Sequence, residues 1–130
     1  MRNFIKVQEI NQEKATFVNK KFITAIVDIQ NGCKVFFNTQ KNEDYIIIQE
    51  SIDEMREKNK DFIPVMIAGK KSIVNLDNII AISETKKGTL FQTNFHILSK
   101  LGIITGFYVS DPIDQIILKI KMTEKAVEKE

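Results

Sequence analysis

The chain has 130 residues, 43% of them hydrophobic, which is enough for one ordinary domain or two very small ones with a buried core. Its net charge of only +2 gives no support for a nucleic-acid partner, although it does not exclude one. A single cysteine excludes an internal disulfide, and the sequence has neither a signal-peptide core nor an apolar run of roughly 18 residues, so we expect a bacterial or phage protein of the cytoplasm.

The first half of the chain predicts five short strands followed by a helix. Asn31 and Gly32 form a strong two-residue hairpin signal between the third and fourth strands. Ser51 followed by Glu54 is a capping box, in which each side chain satisfies a free backbone N–H, so we expect a helix over about 51–60. Runs of apolar and β-branched residues indicate the strands, at 4–7, 14–18, 23–29, 33–39 and 45–49.

The second half repeats this order of elements. Asp111 is expected to cap the second helix, with Pro112 at the first helical position, where its missing N–H costs nothing. The core-facing stripe of that helix would be Ile113, Ile116, Ile117 and Ile120. Four blocks align between the halves at offsets of 58, 56, 56 and 61: 62–65 with 4–7, 73–82 with 17–26, 87–94 with 31–39, and 106–116 with 45–55.

One segment of the second half, FHILSKLG at 95–102, has no counterpart in the first. Asn94 could cap a short helix there and Gly102 could end it. We therefore expect a helix of one to two turns, or an ordered loop, that covers the end of a small barrel.

The repeat predicts an α+β, β-rich fold. We expect two tandem copies of a small, bent five-stranded sheet or SH3-like barrel, each followed by a helix. The first module would span 1–61 and the second 62–130, with the insertion at 95–102 and the C-terminal helix. The two would pack as one compact unit with pseudo-two-fold symmetry.

Each half resembles the FlbD family of flagellar proteins, a group of very small β-rich bacterial proteins. In the first half the resemblance covers nearly all residues, whereas in the second Pro112 replaces the serine of the helix start and 95–102 interrupts the match. The resemblance implies a β-rich fold and no defined chemistry. It rests on residues 4–7, Val18 and Asn19 with Ile23 and Ile26, Gly32, and Glu50-Ser51 with Glu54.

A second resemblance is to the LytTR-type DNA-binding domain of response regulators. Residues 72–76, Asp77 and Ile79 match its phrase "IVNLD.I". That resemblance implies a nucleic-acid-binding domain. The His-Arg pair that typically precedes the phrase is replaced here by VMIAGKK, and no arginine follows Arg56. Arginine is the side chain that most often reads DNA bases.

The residues that carry catalysis are scarce, so we predict that the chain is not an enzyme. His96 is the only histidine, Cys33 is expected to be a small strand residue, and no Cys/His spacing matches a metal site. The segment AGKKS at 68–72 lacks the first glycine of a phosphate-binding loop and is expected to be a hairpin turn. We therefore expect no catalytic residues, no cofactor and no metal.

Binding is the remaining class of function, and the candidate residues are three lysine pairs and the histidine. Lysines on edge strands also serve to block aggregation. We predict a non-catalytic interaction or regulatory module that binds protein partners or itself. The alternatives are a nucleic-acid-binding domain of LytTR-like type and a protein that holds or sequesters a small ligand between the repeats. The candidates are Lys20, Lys21, Lys70, Lys71, Lys86, Lys87 and His96.

Overall fold

The computed structural model describes residues 3–38, 45–99 and 102–128, and for 94–99, 102–105 and 126–128 it describes the backbone alone. The described residues form ten strands, two α-helices and two 3₁₀ helices, and all strand pairs are antiparallel. The fold is therefore α+β and rich in β-structure, as predicted. Neither of the described helices is long and apolar enough to cross a membrane.

The first half contains five strands, a 3₁₀ helix and an α-helix, close to their predicted positions. The predicted capping box is confirmed, because Ser51 Oγ accepts the N–H of Glu54 at 3.1 Å and the Glu54 carboxylate accepts the N–H of Ser51 at 3.5 Å. The elements are β1 (Phe4–Val7), β2 (Thr16–Asn19), the first 3₁₀ helix (Lys20–Phe22), β3 (Ile23–Ile29), β4 (Gly32–Phe37), β5 (Tyr45–Ile48) and α1 (Ile52–Lys58).

The second half has the same order of elements. Ala68 and Gly69 both adopt positive φ in the turn between its first two strands, so the predicted hairpin at AGKKS is confirmed. Its elements are β6 (Ile63–Ile67), β7 (Lys70–Val74), the second 3₁₀ helix (Leu76–Asn78), β8 (Ile79–Thr85), β9 (Gly88–Ser99), β10 (Gly102–Val109) and α2 (Ile113–Glu128).

Asparagine starts the 3₁₀ helix in both halves. The side chain of Asn19 accepts the N–H of Lys21 at 3.1 Å, and the side chain of Asn75 accepts the N–H of Asp77 at the same distance. Asparagine suits this position because its short side chain can bond the backbone two residues further on. The two asparagines are 56 positions apart, which is the offset of the aligned block that contains them.

The prediction of a helix or ordered loop at 95–102 is wrong. Residues 95–99 continue β9 and Gly102 begins β10, so most of the segment belongs to a long hairpin. Leu98 pairs with Ile103 and Ile97 with Ile104 in this extension. The apolar spacing at 95–101 fits a helix, but the β-branched residues that follow it offer a strand partner, and strand pairing is what the structure contains.

The strands form three sheets, and the largest contains strands from both halves. Its order is β5-β4-β3-β7-β6, with Ala25 opposite Val74 and Val27 opposite Ser72. The other two sheets are the β1-β2 pair and the three strands β10-β9-β8. The hairpin of β6 and β7 thus extends the sheet of the first half.

This pairing departs from the predicted pseudo-two-fold symmetry. A two-fold relation would also pair β2 with β8, because these strands hold the places of β7 and β3 in the other half. Among the described strands, β2 pairs only with β1 and β8 only with β9. The strand pairing between the halves is therefore one-sided.

The two hydrophobic cores are also shared across the halves. The first core lies under α1 and includes Met55, but it also contains Phe62 and Ile73 from the second half. The second core surrounds Phe91 and Ile116 and includes Ala25 from the first half. Each core is thus completed by the neighbouring half.

The joint between the last strand and the helix of the first half is held by a carboxylate and a lysine. The N–H of Gln8 donates to both carboxylate oxygens of Glu50 at 3.0 Å. On α1, Lys58 Nζ lies 3.8 Å from Glu50 Oε2 and donates to the carbonyl oxygen of Lys6 at 3.1 Å. The end of β1, the end of β5 and the helix are thereby tied together.

The second half builds the same joint. The N–H of Met66 donates to Asp111 Oδ1 at 2.6 Å, and Lys119 Nζ on α2 donates to Asp111 Oδ2 and to the carbonyl oxygen of Pro64, both at 2.8 Å. These residues follow their counterparts in the first half by 58 or 61 positions, the offsets of the aligned blocks. The predicted capping role of Asp111 is wrong, since its carboxylate binds β6 and Lys119, and α2 begins at Ile113 after Pro112.

Candidate functional site

The predicted lysine pairs do not all lie together. Lys20 and Lys21 are on the first 3₁₀ helix, immediately before β3. Lys70 and Lys71 begin β7, which runs antiparallel to β3 and so places them toward the far end of that strand. A strand of seven residues separates the two pairs by roughly 20 Å.

The third lysine pair and the histidine lie on the β8-β9 hairpin. Lys86 and Lys87 are exposed in its turn. His96 falls on β9, and its side chain is outside the described residues. The described lysines therefore form no single basic surface that includes both the Lys20 and the Lys70 pair.

Lys20 has a structural role at the junction between the halves. Its Nζ lies 2.5 Å from Asp61 Oδ1 and 5.4 Å from the centre of the Phe62 ring. The ion pair and the contact with the aromatic ring both hold the first 3₁₀ helix against the start of the second half. This lysine is thus already engaged within the chain.

A cleft of about 700 Å³ lies at the same junction and is lined by both halves. Asn75 and Asn78 line it, and each donates its side-chain amide to the carbonyl oxygen of Ile23, at 3.0 and 2.7 Å. Asn38 in turn donates to the side-chain oxygen of Asn78 at 3.0 Å. Most amide groups in the cleft are therefore used to join the halves, while Lys21 at its rim is exposed.

The thiol of the chain is unsuited to nucleophilic chemistry. Cys33 is completely buried in β4, and burial, with Asp28, Glu50 and Glu54 nearby, raises its pKa to about 12. A thiol with so high a pKa is almost entirely protonated at neutral pH. Within the described part of the chain, no group of three or more His, Cys, Asp or Glu residues is placed to hold a metal ion.

The most unusual surface of the described residues is the free edge of β8, which pairs with no described strand other than β9. Ile80 on this strand is 64% exposed, whereas Thr24, at the same place in the first half, is 6% exposed. Ala81 is exposed as well, and Glu84 is the only charged residue of the strand. Edge strands usually carry charge or proline to prevent association.

The strand β2 has the complementary exposure. Phe17 is 51% exposed on β2, whereas Ile73, its counterpart on β7, is 1% exposed because it packs into the first core. Phe4 on β1 is exposed in the same way, and its counterpart Phe62 is buried. Residues that are buried at the contact between the halves therefore have exposed counterparts on β1 and β2.

The helix α2, which packs on β8, adds further apolar surface. On this helix Ile116 is buried, while Ile117, Leu118 and Met122 are exposed. The prediction that Ile117 belongs to a core-facing stripe is therefore wrong. Large apolar side chains on a helix beside an edge strand are typical of an interaction surface.

Comparisons of the chain with protein-family models, with curated protein sequences and with solved structures gave no match. The resemblances to the FlbD family and to LytTR-type domains therefore stay predictions.

The β8 edge was missed in the sequence, although a signal for it exists. Ile79 and Ile80 are adjacent, and neighbouring side chains on a strand point to opposite faces. One of the two isoleucines therefore had to lie away from the core of its own half. The alignment with Thr24, a polar residue, marks Ile80 as the outward one.

Proposed function

We propose that this chain is a non-catalytic protein-interaction module of the cytoplasm, and that its binding surface is the free edge of β8 with the adjoining apolar face of α2. The observation that carries the proposal is the 64% exposure of Ile80 on a strand at the edge of its sheet. An edge of this kind offers a row of backbone N–H and C=O groups to an extended segment of a partner, and the side chains beside it supply apolar contacts. The single described cysteine is free and buried, which suits a reducing compartment.

We also propose that the two halves are tandem copies of one small module with an SH3-like form, related to the FlbD family. The shared order of elements and the repeated joints around Glu50 and Asp111 support a duplication. In the first half, Gln8 and Gln49 bond across the ends of β1 and β5, as closure of a small barrel requires. The regions would be 1–61 and 62–130.

Replacing Ile80 with lysine is expected to weaken partner binding roughly tenfold or more, because a charge on the edge opposes burial of the apolar contact. The fold should be retained, since the side chain is mostly exposed. The measurement is quantitative capture of proteins from the native host on immobilised wild type and variant.

The matched control for this experiment is Ile10→Lys, which adds the same charge at an exposed isoleucine in the loop after β1. Proteins retained by the wild type and by Ile10→Lys, but lost with Ile80→Lys, would support the proposed surface. Equal capture by all three proteins would overturn it.

The cleft between the halves supports a second candidate, the binding of a small ligand. Its volume of about 700 Å³ is in the range of small-molecule sites, and its lining combines apolar side chains with lysine, aspartate and asparagine groups. A bound ligand is expected to add mass to the 15.0 kDa chain under native conditions and to leave on denaturation. A native mass equal to the denatured mass of the chain, or to a whole multiple of it, would argue against this candidate.

A further inference from the structure

We propose that the free edge of β8 is occupied by β2 of a second copy of this chain. The inference rests on the proposed function, since it names the partner of that same surface. Within one chain, β7 of the second half already pairs with β3 of the first. In the second half β8 corresponds to β3, and in the first half β2 corresponds to β7. Among the described strands, β8 and β2 each have one free edge. The molecule thus contains one strand contact between the halves and leaves free the two edges that could form a second contact of the same kind.

The contact within the chain supplies the register of the contact between chains. Ala25 lies opposite Val74, Ile26 opposite Ile73 and Val27 opposite Ser72. Moved by the offset of 56 that relates these blocks, the same register places Val18 opposite Ala81, Phe17 opposite Ile82 and Thr16 opposite Ser83.

The side chains at these positions fit the pairing. In the chain, Ile73 of β7 and Ile26 of β3 are both buried in one core. Phe17 takes the place of Ile73 and is half-exposed, and Ile82 takes the place of Ile26 and is only partly buried. Pairing with a second copy would bury Phe17 against Ile82 and remove both from water, which is favourable for apolar surface.

One pair of charges just beyond the strands is complementary in the same register. Continued past Thr16, it brings Glu13 opposite Lys86. Opposite charges at facing positions of neighbouring strands favour the pairing. This arrangement also gives Lys86 a role at the interface between copies.

A contact of this kind is heterologous, because it joins two different surfaces. Such contacts form a closed ring when the rotation between subunits closes and an open filament when it does not. If β2 of each of two chains pairs with β8 of the other, the two chains form a closed dimer that contains four modules. The native mass reports how many chains close the ring.

The register is tested with a pair of cysteines, Thr16→Cys with Ser83→Cys. Directly opposed residues of antiparallel strands lie close enough for a disulfide. Mild oxidation of the purified double variant is expected to join separate chains, which is read as a band of twice the chain mass or more on non-reducing gels. In the control Thr16→Cys with Ala81→Cys, the two cysteines lie two residues out of register and should cross-link far less.

Two further variants test the same contact, one as a control for disulfide formation and one for assembly. Val27→Cys with Ser72→Cys copies the existing ladder and should form its disulfide within one chain, at the mass of the monomer. Phe17→Lys changes an exposed side chain and is expected to convert the assembly of the wild type into monomers.

A wild type that stays monomeric at its highest soluble concentration would overturn this inference. The proposed function would still stand if Ile80→Lys reduces the capture of other proteins. Cross-linking in the wrong register would overturn this inference as well.

Discussion

Replacement of Gly32 with alanine is expected to lower the free energy of unfolding by about 3 kcal/mol. Gly32 begins β4 with φ of +152°, a conformation that side-chain-bearing residues rarely adopt. A Cβ atom built there lies 2.0 Å from the carbonyl oxygen of Ile48 at the end of β5. Because the opposing atom is backbone, it can move only if the end of β5 moves too, and that segment leads into α1.

Two other glycines form a graded control for this prediction. Gly88 holds the same place in the second half, where a Cβ would lie 2.9 Å from the carbonyl oxygen of Val109, so its alanine variant should lose less stability. Gly69 has φ of +76° but nothing within 4 Å, so its variant should lose only about 1 kcal/mol from the backbone conformation. Urea unfolding would measure the series, and equal stability of the Gly32 and Gly69 variants would contradict the prediction.

Replacement of Asp111 with asparagine is expected to lower the free energy of unfolding at neutral pH by about 2 kcal/mol, since it removes charged hydrogen bonds at the joint of the second half. Burial raises the pKa of Asp111, but the bonds from Lys119 and from the N–H of Met66 outweigh it and hold the pKa below the ordinary value of 3.8. The stability that the carboxylate provides is therefore complete above about pH 4 and is lost as the pH falls through the lowered pKa.

The pH dependence separates this effect from a simple loss of packing. The difference between the wild type and Asp111→Asn should shrink toward pH 2, because the wild-type carboxyl then becomes neutral as well. Glu50→Gln in the first half is a matched comparison with a smaller expected loss, since Lys58 lies 3.8 Å from that carboxylate and is more exposed. A difference that stays constant from pH 7 to the acid limit would show that the charge of Asp111 contributes nothing to stability.

Local signals in the sequence predicted most of the individual elements. The capping box at Ser51 and the asparagines at 19 and 75 are each satisfied by bonds within a few residues, so their geometry follows from neighbouring residues alone. The predicted hairpin between β3 and β4 is present, but its two turn residues are Gln30 and Asn31, and Gly32 already pairs with Ile29. The strand positions of the first half follow from the same kind of short-range pattern.

Contacts between distant segments could not be predicted in this way. Residues 95–99 form a strand because the segment pairs with β10. The side chain of Asp111 binds Met66 and Lys119, and does not cap the helix, because the β6 backbone lies beside it. The one-sided pairing of β3 with β7 depends on the rotation between the halves, which no short window of sequence encodes. The candidate surface on β8 was missed for this reason, because distant strands decide whether a given strand lies at the edge of a sheet.

The sharing of the two cores has a consequence for the independence of the halves. Phe62 and Ile73 complete the core under α1, and Ala25 belongs to the core around Phe91. Separating the halves would therefore expose the interior of each. The gene could not be divided at the junction near residue 61 into two products that each fold alone. The halves are therefore expected to melt together, in a single cooperative transition, even though their order of elements is that of two separate modules.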